Sequence, residues 1–219
     1  MPGSEKDPAL QFVRAELYAR AGETWKAAAL VNASFRSFVL AGSRDPNVVP
    51  AEFWHICYPY PYRSTIERAV REAGLTQAKI EPALVAALIR MESRFKPTAV
   101  SPVGAVGLMQ LMPETANKIS QQLTGAPVSR QELFEPETNI RFGTYYLANR
   151  VKDFGGEWFP AICSYNAGVD PVRRWWTARP PAQQMDEFIE TIPFLDTRLY
   201  IKQVLGDFRN YEWIYSEQS

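Results

Sequence analysis

Residues 87–113, "ALIRMESRFKPTAVSPVGAVGLMQLMP", contain one carboxylate, Glu92, and no other acid lies between Ser93 and Pro113. Most Glu side chains are solvated surface charges. On a helix through residues 82–93, Val85, Leu88 and Glu92 fall at i, i+3 and i+7, so Glu92 continues an apolar stripe. A carboxylate there loses hydration when ionised and holds its proton more tightly. The helix C-terminus, where backbone carbonyls point outward, disfavours negative charge as well. A carboxyl that keeps its proton near neutral pH can donate it to a leaving group. The competing reading is a surface Glu at a helix end, paired with Arg90, Arg94 or Lys96.

The next segment, "SPVGAVGLMQLMP", places Gly104 and Gly107 three residues apart, followed by the amide of Gln110 and thioethers. Glycines permit positive φ and close approach of backbone to another surface. Such a loop could lay backbone donors and Gln110 beside a sugar ring, or it could be a plain turn between helices. In "SYNAG", residues 164–168, Asn166 and Gly168 mark a helix exit or tight turn. Tyr165 could stack on a pyranose or hydrogen-bond its substituents; the alternative is a core tyrosine with a satisfied hydroxyl.

The elements that must position these residues read as helices throughout; strand alternation is scarce and no βαβ pattern occurs. Residues 8–21 carry the stripe Leu10, Val13, Leu17 and Ala21 and end at Gly22. Thr24 is placed to cap the next helix, which Gly42 closes. Such a pair resembles one unit of a helical array, which cannot bury its own face well. Residues 43–63, rich in proline and aromatics, read as an extended linker that packs. A helix capped by Ser64 and closed near Gly74 follows, then the segment of Glu92, then a helix opened by Pro113. "PETNIRFGTYYLANRVKDFGG" reads as an Asn-containing turn leading into a long amphipathic helix. Two short helical segments and one or two final helices complete the chain.

The 219 residues suffice for one large domain, or a domain with a smaller companion. Hydrophobic residues make up 46% and charged residues 22%, which excludes long disorder, and the formal net charge of zero gives no nucleic-acid footprint. Two cysteines, Cys57 and Cys163, and one histidine, His55, supply no zinc cluster. The cysteines read as buried small residues. Neither a metal nor a cofactor is expected. No apolar run reaches transmembrane length, and the first residues lack a basic-then-apolar export signal. The chain is accordingly cytosolic or a trimmed piece of an exported protein.

Four segments together are distinctive: "ALIRMESRFKPTAVSPVGAVGLMQLMPETA", "NIRFGTYYLANRV", "AICSYNAGVDPVRRW" and "FIETIPFLDTRLYIKQVL". In order and spacing, across roughly residues 77–207, the sequence resembles the soluble lytic transglycosylase family, whose catalytic domain has a lysozyme-like fold. The fold expected is therefore all-α, with at most a tiny β-hairpin. Residues 1–76 would be a helical segment and linker from the end of an α-superhelical region, and residues 77–219 the catalytic domain.

The resemblance implies non-hydrolytic cleavage of the β-1,4 bond between N-acetylmuramic acid and N-acetylglucosamine in peptidoglycan, leaving a 1,6-anhydromuramoyl product. It implies Glu92 as catalytic acid/base and Ser101 near the substrate's N-acetyl group. Gln110 and Met112 would line the cleft, Tyr165 and Asn166 would flank the acid, Glu190 would help to hold the site, and Tyr146 would belong to it from the central helix. Glu190 has a competing role as a partner of Arg198 or another helix end. The expected partner is the glycan strand, with no nucleic acid and no transmembrane segment; the expected place is the bacterial periplasm or cell envelope. Cys163, where a small apolar residue is common, and Asp196, where Glu is common, depart mildly from the pattern. The rival readings are a lysozyme-type hydrolase on the same fold and a non-catalytic glycan-binding module.

Overall fold

The computed structural model describes residues 7–42, 49–180 and 182–216. The chain divides into two compact units, Met1–Pro61 with Asn210–Ser219, and Tyr62–Arg209.

In the first unit, Asp7 accepts the Ala9 N–H at 2.9 Å and caps α1 (Pro8–Arg20), with proline at the first helical position. The helix ends at Gly22, whose φ of 77° suits glycine. The stripe read from the sequence remains exposed: Leu10, Val13 and Leu17 are 40%, 50% and 60% accessible, while Gln11 and Ala15 are buried. The second predicted helix is two, α2 (Thr24–Ser34) and α3 (Arg36–Gly42), broken at Phe35. Thr24 is the first helical residue and makes no cap; the capping position belongs to Glu23, without a side-chain bond.

Residues 43–48 lie outside the described residues. The rest of the expected linker is largely helical, as α4 (Ala51–Cys57). Pro50, Pro59 and Pro61 flank this stretch without interrupting it, and Phe53, Trp54, Ile56 and Cys57 supply a face to bury. Phe53 meets Phe12 and Phe35 at ring-centroid distances of 6.3 and 5.9 Å, and Trp54 meets Trp213 edge-on at 5.7 Å. The carbonyls of Tyr58 and Pro59 accept the Tyr215 and Tyr211 hydroxyls at 2.7 and 2.9 Å.

The second unit opens with α5 (Arg63–Glu72), which starts one residue before the expected cap Ser64 and has no side-chain cap. A 3-10 turn (Leu75–Ala78) leads to α6 (Pro82–Ser93). Every residue from Leu84 to Ile89 is at most 2% exposed, so this is a helix buried all round, not a striped surface helix. After it come α7 (Pro113–Thr124), a 3-10 turn (Glu132–Phe134) and α8 (Pro136–Asp153). Asn139, expected in a turn, sits inside α8 and is fully buried, because Pro136 already opens the helix. The chain continues with α9 (Trp158–Ala167), α10 (Val169–Ala178), α11 (Met185–Thr191) and α12 (Leu195–Ser216).

The segment between α6 and α7 folds on itself through two isolated antiparallel bridges, Val100 with Val106 and Val106 with Leu111. Val106 and Leu111 exchange backbone bonds of 2.9 and 3.0 Å. Their side chains join Ala116, Ile119, Leu133 and Phe142 in one apolar cluster, which seats the loop on α7 and α8.

Candidate active site

Glu92 occupies the last turn of α6, where the buried helix emerges. The helix stops abruptly: Arg94 and Phe95 both have positive φ, 54° and 62°, and the Phe95 ring is fully buried. Two consecutive non-glycine residues in the left-handed region are costly and persist only where surrounding packing enforces them. Here the buried ring holds the reversal, and Glu92, three residues before it, stays half-buried.

The Glu92 carboxylate accepts the Tyr200 hydroxyl at 2.6 Å and forms no ion pair with a described residue. Arg90, one candidate partner from the sequence, faces the buried Asp207 at 3.4 Å instead. Burial lifts the Glu92 pKa to about 7, and the Tyr200 hydrogen bond opposes that rise only in part. Glu92 in turn helps hold the Tyr165 and Tyr200 phenols protonated, far above their ordinary range, after burial itself. The three groups form one electrostatic cluster in which a proton can be carried by the carboxyl.

Tyr200 projects from α12 and was not singled out by residue type or spacing. The legible signal was its place in an inward stripe: Thr197, Tyr200, Ile201 and Val204 are all at most 4% exposed. Thr197, in the same stripe, donates to the Asn166 Oδ1 at 2.8 Å and ties the "SYNAG" turn to α12. Tyr165 donates to the Met109 carbonyl at 2.8 Å, and its ring meets Tyr146 edge-on at 5.2 Å. The Arg150 guanidinium lies over the Tyr146 ring, 4.7 Å from its centroid.

In the loop, Ser101 Oγ accepts the Ala105 N–H at 2.9 Å and closes a tight turn. Gln110, at φ 47°, donates its amide to the Gly107 and Ala99 carbonyls at 2.8 and 3.3 Å. Met112 is 42% exposed just before α7. Glu190 lies at the end of α11, exposed, with Lys202 Nζ at 2.5 Å and Arg198 at 4.0 Å. Those cations hold its carboxyl below the ordinary range, and no contact joins it to Glu92, Tyr165 or Tyr200.

Cys57 and Cys163 are buried and not joined in a disulfide, and burial pushes the Cys163 thiol up to about 12, which leaves no nucleophilic thiolate there. Among the described residues, no group of three or more His, Cys, Asp or Glu could hold a metal ion.

The model of the transglycosylase SLT domain family matches residues 70–187, more than half of the chain, from within α5 through α10 to the first turn of α11. The chain belongs to this family. The soluble lytic murein transglycosylase of Salmonella typhimurium is 38% identical over 151 residues, which are 68% of this chain and 22% of that protein. The chain thus spans about a fifth of the length of that SLT-domain relative. The crystal structure of an inactive Glu-to-Gln mutant of the lytic transglycosylase Slt from Pseudomonas aeruginosa superposes with a TM-score of 0.79 at 30% identity, covering 97% of this chain and 31% of that one. A 70 kDa soluble lytic transglycosylase in complex with bulgecin A gives a TM-score of 0.78 at 27% identity, covering 95% and 31%. The SLT domain here is all-α and lysozyme-like, as the resemblance implied, with the two antiparallel bridges as its nearest approach to a hairpin.

Proposed function

We propose that this chain carries the catalytic domain of a peptidoglycan lytic transglycosylase, with Glu92 as its single acid and base. The observation that carries the reading is the half-buried Glu92, hydrogen-bonded to a tyrosine and paired to no cation among the described residues, with a pKa near 7 in a chain of the SLT family. Ordinary glycosidases divide acid and base between two carboxylates flanking the bond. Glu92 is followed by a run from Ser93 to Pro113 that holds no second carboxylate. That supports a mechanism in which one group serves twice.

In the first step the Glu92 carboxyl gives its proton to the glycosidic oxygen, the C1–O bond of the muramoyl unit breaks, and the substrate's own N-acetyl oxygen stabilises the cationic C1. The Tyr200 hydroxyl steadies the carboxylate left behind. In the second, that carboxylate takes the proton of the C6 hydroxyl, and the C6 oxygen bonds to C1. Glu92 ends protonated, no water is consumed, and the product is a 1,6-anhydro ring. A pKa near 7 suits both halves of this cycle. Ser101, Gln110, Met112, Tyr146, Tyr165 and Asn166 are proposed to line the sugar site, and Glu190 to support it through its ion pair to α12. The substrate places the protein in the bacterial cell envelope; no helix among the described residues is long and apolar enough to cross a membrane.

Mass analysis of products from purified sacculi tests this reading. Anhydro products lighter by one water than hydrolysed muropeptides are expected, and Glu92→Gln should lower turnover at least ~10²-fold, the usual share of general acid–base catalysis. Water-added products would make the protein a hydrolase. Sacculi bound but never cleaved would make it a glycan-binding module.

A further inference from the structure

The hydroxyl of Tyr165 is set from a place outside the proposed cleft. Its acceptor is the Met109 carbonyl, 2.8 Å away. The same residue's N–H donates to Asn139 Oδ1 at 2.7 Å. The Asn139 amide nitrogen spends both hydrogens nearby, on the Val106 carbonyl at 3.0 Å and the Leu133 carbonyl at 2.8 Å. Asn139 is 0% exposed, so each of these bonds is made without competition from water. The Met109 side chain is fixed as tightly: Thr144 lies against its sulfur, and a Cβ on Gly143 would come within 2.4 Å of it. Asn139, Gly143 and Thr144 form one face of α8, with Met109 clamped between that face and Tyr165.

We infer that Asn139 is a positioning residue for the reaction, acting through Met109 on the Tyr165 hydroxyl beside Glu92. The inference rests on the function proposed above. A buried asparagine with three bonds has a bland explanation, since it would stabilise any loop. The geometry adds a direction. Val106 and Leu133 hold Asn139 still, and what it then holds is the peptide whose carbonyl receives Tyr165.

The test is a double-mutant cycle on the whole chain: wild type, Asn139→Ala, Tyr165→Phe and the pair. Turnover of isolated glycan strands is measured per folded molecule, well below each variant's melting temperature. A displaced catalytic neighbour costs on the order of 10–100-fold in kcat, and that is the loss expected for Asn139→Ala, with KM moving less. Once the Tyr165 hydroxyl is gone, Asn139→Ala should cost no more than about a further twofold, within the scatter of such cycles. Losses that multiply, or a wild-type kcat per folded Asn139→Ala molecule, overturn the inference. Should Asn139→Ala not fold, Gly143→Ala, which pushes the Met109 side chain from the same face of α8, takes its place in the same cycle and is read by the same criterion. A wild type that leaves the strands whole sinks the proposed function and the inference with it; an active wild type with multiplying losses sinks the inference alone.

Discussion

Glu92 carries a cost in stability that its proposed role requires. Its pKa rises from the usual 4.5 to about 7 in the folded chain, so between those values the native state binds more protons than the unfolded state. Stability therefore falls as pH rises through that window, and the loss is complete above it, at most about 3 kcal/mol for such a shift. Glu92→Gln, whose amide oxygen can still accept from Tyr200, removes the ionisation. The variant is expected to be inactive yet to melt higher than wild type at pH 8, with the difference vanishing near pH 4; equal melting curves across that range would contradict the burial of the charge. Tyr200→Phe should act in the opposite sense on the carboxylate. The hydroxyl lowers the Glu92 pKa, so its loss should move the alkaline limb of kcat upward in pH while lowering the maximum, because the carboxylate formed in the first step loses a donor. A pH–rate profile of the variant decides it.

At the scale of elements, the loop between α6 and α7 separates what spacing can and cannot tell. Gly104 and Gly107 look alike in sequence, and both have positive φ, 92° and 81°. A Cβ at Gly104 would meet nothing within 4 Å, whereas at Gly107 it would fall 2.1 Å from Asn139 Nδ2 and 2.5 Å from the Leu133 carbonyl. Gly104→Ala should cost about 1 kcal/mol, for backbone strain alone, and Gly107→Ala on the order of 3 kcal/mol, measured by urea unfolding. The glycine requirement was legible in the motif. Which glycine faces a neighbour was not, since that neighbour lies about 30 residues away in α8. Likewise, "PETN" carries local turn chemistry, but the apolar run behind it extends the helix back to Pro136, and burial turns Asn139 from a turn residue into a clamp. Most of the helices were readable from periodicity; the break at Phe35 and the helical α4 were not, because proline and aromatic content does not reveal which face finds a partner.

For the molecule as a whole, the site residues from Glu92 to Tyr200 all lie in the unit Tyr62–Arg209, while Phe53 closes an aromatic cluster in the other unit. Phe53 is 5% exposed and touches Phe12, Phe35 and Trp54. Phe53→Ala should lower stability by about 3–5 kcal/mol on unfolding, with turnover per folded molecule unchanged. A fall in that turnover would tie the aromatic cluster to the site. By itself the sequence determined the all-helical class, the family through four ordered segments, and Glu92 as the acid proposed here, since apolar stripes, glycines and an isolated carboxylate are local patterns. Tertiary structure alone decided that Tyr200 is the partner of Glu92, that Glu190 pairs with Lys202, and that Asn139 supports Met109. Those pairings join residues on different elements, and no local spacing encodes which buried polar atoms will meet when water is removed from between them.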